Sequence, residues 1–126
     1  MLKINDMTPE EKDLLLKDLC ARLPYGIKCS FGVDDAVYEI TGINPTCCGA
    51  SEIQATHVKS GINGDFKLNS CKPYLFPMSS MTKEQYNQYI KYSAYEALDW
   101  LNKNHFDYRG LIPMGLAKDA TGLNIY

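Results

Sequence analysis

The sequence is poor in the features that mark specialised classes of protein. No stretch approaches the roughly 20 consecutive apolar residues of a membrane-spanning helix, and Met1 to Asp6 lack the apolar core of a secretory signal. Charge of one sign is not concentrated anywhere. Lys and Arg total 13, Asp and Glu 15, for a net charge of −2. Residues 1–22 carry four bases and five acids, residues 23–72 four and five, and residues 73–126 five and five. Binding to a phosphate backbone draws on clustered Lys and Arg, so nucleic acid is not an expected partner. Mimicry of nucleic acid would need a block of acidic residues, and that is missing too. The five cysteines, Cys20, Cys29, Cys47, Cys48 and Cys71, are odd in number and irregularly spaced, which excludes a regular disulfide framework and points to a reducing compartment, the cytoplasm.

Catalytic and cofactor motifs are equally scarce. None of the nine glycines forms a phosphate-cradling loop before a helix, and no Gly-x-Ser-x-Gly elbow surrounds Ser79 or Ser80. Cys47, Cys48, His57 and Cys71 are the one gathering of soft ligands. Adjacent cysteines without a Cys-x-x-Cys pair chelate zinc poorly, so Cys29 and Cys71 read as small buried hydrophobes and Cys47 and Cys48 as loop residues. His105 and Asp107, two apart, have the spacing with which a carboxylate can orient an imidazole for general-base work, though such a pair also ties down loops. The sequence therefore predicts no catalytic residue, no metal and no cofactor, and a non-enzymatic role.

What is present describes a folded domain. The 126 residues are 45% hydrophobic and 22% charged, values of a globular chain of single-domain size. The reading is α+β over one domain, 1–126: a helix over 8–23, a β region over 26–75, a helical region over 82–104 and an irregular tail over 105–126. Thr8, Pro9 and Glu11 form a capping box with proline at the first helical position. Leu15, Leu16, Leu19 and Leu23 then make a core-facing stripe, with Lys12, Asp13, Lys17 and Asp18 between them. Beyond Pro24 and Gly26 the period changes to two. Ile27, Cys29 and Phe31 alternate with polar residues, Val33 to Asp35 turn the chain, and Ala36, Tyr38 and Ile40 return it. Further strands are expected over Glu52–Lys59 and around Phe66 and Leu68. Four or five short antiparallel strands can curl into a small SH3-like barrel. Thr82 with Gln85, and Ser93 with Glu96, are two more capping boxes, so the helical region breaks near Ser93 and buries Ala97, Leu98 and Leu101 in its second part.

Aromatic residues crowd this second half: Tyr86, Tyr89, Tyr92, Tyr95 and Trp100, followed by Phe106 and Tyr108. Tyr and Trp combine a large apolar body with a polar tip and suit interfaces as well as cores. Tyr92, Tyr95, Trp100, His105, Asp107, Tyr108 and Arg109 are accordingly the expected partner-binding residues.

Three stretches, LCARLPYG from Leu19, KPYLFPMSSMT from Lys72 and DWLNKNHFDYRGLI from Asp99, resemble a group of short uncharacterised proteins of phages and integrated elements of Bacteroidetes bacteria. The group usually carries a basic residue where Phe76 stands here. The resemblance implies an origin without naming an activity. Short non-enzymatic proteins of that origin often bind a host protein stoichiometrically, so the expected function is inhibition of a bacterial defence system such as a CRISPR nuclease. A nucleic-acid-binding accessory module, with Tyr38 and Phe66 as stacking platforms on a small β-barrel, is the alternative.

Overall fold

A computed structural model describes residues 7–32, 36–45 and 51–126. Helix α1 (Pro9–Arg22) begins at the expected capping box: Thr8 Oγ1 accepts from the Glu11 amide at 3.1 Å, and Glu11 Oε1 from the Thr8 amide at 2.9 Å. Its fully buried face is Leu15, Asp18, Leu19 and Arg22, a stripe spaced three, one and three residues. Leu16 and Leu23 pack at its margin. Asp18, expected in solvent, is instead inside the protein. Burial is tolerable because Arg22 Nε, one turn on, donates to Asp18 Oδ2 at 2.9 Å. A 3-10 turn (Leu23–Tyr25) ends the helix, and Gly26 at φ 74° reverses the chain.

Among the described residues seven strands follow: β1 (Lys28–Ser30), β2 (Tyr38–Pro45), β3 (Ser51–His57), β4 (Asn63–Lys67), β5 (Lys72–Pro77), β6 (Phe106–Asp107) and β7 (Lys118–Asp119). The order is β4-β3-β2-β1-β5-β6, with β7 also paired to β5. Pairs among β1 to β5 are antiparallel, while β6 and β7 pair with β5 in parallel. The expected purely antiparallel sheet of four or five strands is thus a mixed and open one, with β4 and β6 ending its path among the described residues. The tail expected to be irregular supplies both parallel strands. Strand β5 serves three partners in successive dipeptides: β1 at Lys72 and Pro73, β7 at Tyr74 and Leu75, and β6 at Phe76 and Pro77. Strand β4 starts at Asn63, earlier than the sequence indicates, and Leu68–Ser70 is a 3-10 turn and not its continuation. The turn over residues 33–35 and the loop with Cys47 and Cys48 lie outside the described residues.

Alternation places the core. Ile27, Cys29 and Phe31 beside β1, Ile40 of β2, and Ile53 and Ala55 of β3 are buried, as are Leu15 and Leu19 of α1, which cover them. Cys71 and Leu75 of the β5 region join them. Two short helices, α2 (Lys83–Tyr89) and α3 (Ala94–Lys103), stand apart from this layer, each with its capping box formed: Gln85 N to Thr82 Oγ1 at 3.1 Å, and Glu96 N to Ser93 Oγ at 3.4 Å. The break at Ser93 is therefore real. Only the last turn of α3, through Leu101 and Asn102, is buried. Leu98, expected in the core, is exposed because it sits one turn short of that contact.

Candidate functional site

The sequence-selected residues occupy two adjoining settings. The first is the helix pair. Nothing in α2 is buried, an unusual state for a helix carrying two tyrosines, since helices in folded proteins bury an apolar stripe. Tyr86 and Ile90, one turn apart, are 54% and 56% exposed. On α3, Tyr95 is 89% and Leu98 44% exposed. The helices meet through Trp100, which is half-buried, stacked on Phe106 with centroids 5.5 Å apart and flanked by Tyr89 at 6.1 Å and Tyr92 at 6.4 Å. Gln88 Nε2 donates to the Tyr92 hydroxyl at 2.8 Å, and the Tyr25 hydroxyl donates to Asp99 Oδ1, tying α3 to the end of α1. Trp100 is therefore a hinge between core and surface, whereas Tyr95 touches solvent on nearly every side.

The second setting is the segment from His105 to Ile112, which turns inward. Asp107 is buried, and its two carboxylate oxygens accept from the amides of Leu111 and Ile112 at 2.8 and 2.9 Å. Tyr108 donates to the buried Asn102 Oδ1 at 2.8 Å. Its ring centroid lies 5.2 Å from the guanidinium carbon of Arg22 and 4.8 Å from that of Arg109, within cation–π range. Arg109 Nε is 3.6 Å from Asp18 Oδ1, too long for a hydrogen bond, so Asp18 sits between two arginines but bonds to one. Arg22 Nη2 reaches across to the Phe106 carbonyl at 2.6 Å. Sequence reasoning missed this cluster. The Asp18–Arg22 spacing of four was visible, but it reads equally as a surface pair.

His105 and Asp107 do not form the pair their spacing allows. The imidazole is 8% exposed and stacks on Tyr126 with centroids 3.7 Å apart, while the Asp107 carboxylate is taken up by backbone amides. Of the imagined nucleophiles, Ser80 Oγ donates to the Pro77 carbonyl at 2.6 Å. His57 Nδ1 accepts from the amides of Lys59 and Ser60, so that nitrogen is occupied, and Cys71 is buried beside Cys29. Hydrogen bonding between these two thiols, reinforced by burial, pushes the Cys29 thiol well up, so it behaves as an inert core group.

Burial, with the charges of Arg22 and Lys28, pushes His105 down from 6.5 to about 4. The unfolded chain takes up a proton near pH 6.5 that the folded one refuses until about pH 4. Stability from this group is therefore complete above pH 6.5 and is lost as pH falls through that window, by about 2–3 kcal/mol. Urea melts from pH 7 to pH 4 check this: wild type is expected to lose more stability over the range than His105→Gly, whose remaining slope reports the carboxylates.

Comparison with protein-family models, curated proteins and solved structures gives no match. Among the described residues no helix is long and apolar enough to cross a membrane.

Proposed function

We propose that this chain is a non-enzymatic protein-binding module that docks a partner through the exposed apolar side chains of α2 and α3. The observation that carries the reading is a helix pair that contributes Leu101 and Asn102 to the interior while holding Tyr86, Ile90, Tyr95 and Leu98 in water. Single exposed apolar residues are ordinary, but four on two short consecutive helices are the composition of an interface centre. Trp100, with Tyr89 and Tyr92 around it, joins the two helices. Tyr108 and Arg109, both half-buried, pack in the segment after α3, which Asp107 holds in place through the Leu111 and Ile112 amides and His105 through its stack on Tyr126. The resemblance to phage-borne proteins directs the choice of partner to a host protein, with stoichiometric inhibition of a defence nuclease of the CRISPR kind, in the bacterial cytoplasm, as the mode of action.

The competing nucleic-acid reading has less to stand on. Phe66 stacks on Phe31 with centroids 3.9 Å apart, and Tyr38 packs edge-on against both rings. These platforms already serve the core, which Phe66 and Tyr38 flank as partly buried members.

Tyr95→Ser tests the proposal. Its side chain supports nothing internal, so urea melts should place the variant within about 0.5 kcal/mol of wild type. Titrated against a nuclease of the host CRISPR system, wild type should inhibit at close to equimolar ratio, and the variant should need about tenfold more or worse. Inhibition by both proteins at the same ratio would remove Tyr95 from the interface, and no inhibition by either would remove the nuclease as partner.

A further inference from the structure

Strand β1 pairs with β5 through Cys29 and Ser30, opposite Pro73 and Lys72. One step further the register would bring Lys28 opposite Tyr74, but a phenol stands there instead. The Tyr126 hydroxyl accepts from the Lys28 amide at 2.9 Å and donates to the Tyr74 carbonyl at 2.8 Å, with the Lys28 carbonyl at 3.3 Å. Two residues along β5 the Phe76 amide donates to the His105 carbonyl at 2.8 Å, and residues two apart on a strand turn their backbone groups to the same side. The hydroxyl therefore fills the gap on this edge of β5 between β1 and β6.

The ring is held as closely as the hydroxyl. It stacks on the His105 imidazole with centroids 3.7 Å apart and planes 14° from parallel. Phe76 stands at 6.0 Å, and the Lys28 ammonium is 5.6 Å from the ring centroid, within cation–π range. A slot with one backbone donor and one backbone acceptor at the end of a flat wall reads a neutral phenol. A plain benzene ring would leave both backbone groups unpaired, and a phenolate would lack the proton that Tyr74 accepts.

The strap that carries Tyr126 lies open to solvent. Of residues 121–126 all but Ile125 are exposed, Leu123 at 53% and Tyr126 itself at 40%. Its backbone is tied by the Lys28 ammonium, which donates to the Ile125 carbonyl at 2.9 Å, and by the Leu123 amide on the Ala120 carbonyl at 3.1 Å. We propose that the slot between β1, β5 and β6 is a binding site for a para-substituted phenol, and that Tyr126 is its built-in, displaceable occupant. The site is separate from the exposed face of α2 and α3 and does not depend on a protein partner.

Tyr126→Gly frees the slot, and because the residue is a partly exposed one on the strap, the variant should fold. p-Cresol is titrated into it while the amide signals of Lys28 and Leu75 are followed by NMR, and should bind saturably with a dissociation constant of about 1 mM. 2,6-Dimethylphenol, whose methyl groups flank the hydroxyl, should bind at least about tenfold more weakly. Wild type should also bind p-cresol at least about tenfold more weakly than the variant, because Tyr126 competes. N-acetyltyrosinamide separates the sources: affinity equal to that of p-cresol assigns the slot to a tyrosine side chain, and affinity about tenfold weaker assigns it to a free phenol. A second measurement needs no variant. If the strap lifts on its own, the Lys28 amide of wild type should exchange with solvent at least about tenfold faster than the Ile40 amide, which is bonded to the Ile27 carbonyl within the sheet. The proposal is overturned if p-cresol gives no saturable shift in Tyr126→Gly up to about 20 mM, if 2,6-dimethylphenol binds as well as p-cresol, if wild type binds p-cresol as well as the variant, or if Lys28 exchanges no faster than Ile40.

Discussion

Arg22→Ala is expected to destabilise the protein by about 3–5 kcal/mol, the range for stranding one member of a buried ion pair. Arg22 is fully buried and joins α1 to the segment after α3 through three partners: Asp18 at 2.9 Å, the Phe106 carbonyl at 2.6 Å and the Tyr108 ring at 5.2 Å. Without it Asp18 keeps only Arg109, at 3.6 Å. Burial already raises the Asp18 pKa, and Arg22 is the largest influence pulling it back, so in the variant the carboxyl takes up a proton more readily. A group whose folded pKa is raised binds more protons folded than unfolded, and stability then falls as pH rises. Urea melts should therefore show a larger loss for Arg22→Ala at pH 8 than at pH 5. Replacing the pair together, Asp18→Leu with Arg22→Met, should recover most of the loss, because a buried ion pair has little net advantage over apolar side chains of similar volume. A loss below about 1 kcal/mol in the single variant would mean that the cluster does not tie α1 to β6.

Trp100→Ala should cost about 2–4 kcal/mol, the range for truncating a large, partly buried aromatic. The indole stacks on Phe106, which is itself buried and is the residue Arg22 grips through its carbonyl. It is also the contact through which Tyr89 and Tyr92 fasten α2. The same substitution should leave α2 without its anchor, so its amides should exchange with solvent faster than those of the sheet. Calorimetric or urea melts together with hydrogen exchange read both effects. Unchanged exchange in α2 would show that the helix is held elsewhere.

The parts of the fold legible in the sequence are those set by local chemistry. The capping boxes at Thr8, Thr82 and Ser93 form as read, because each needs only residues three apart. The strand alternation at Ile27, Cys29 and Phe31 gives the core face directly. Strands β6 and β7 escaped notice because two-residue strands have no period. They exist because β5 offers its backbone to segments about 30 and 44 residues away in sequence. Asp18 was misplaced for a related reason: its burial depends on a contact from Arg22 to a carbonyl 84 residues on. Leu98 has the spacing of a core residue, and its exposure follows from how little of α3 meets the sheet. Within the tyrosine-rich segment, composition could not separate Trp100, which packs on Phe106, from Tyr95, which is exposed.

The most direct measurement of the central claim compares a doubly substituted face, Tyr95→Ser with Leu98→Ser, against wild type in two assays on the same preparations. Both proteins are melted in urea, and both are titrated into the host nuclease with activity and complex formation recorded. The expected result is a variant that still folds, within about 1.5 kcal/mol of wild type, an equimolar complex with wild type, and loss of that complex by about a hundredfold or more in affinity for the variant. Equal binding by wild type and variant, or a variant that fails to fold, would contradict it, since the face would then be either idle surface or part of the core.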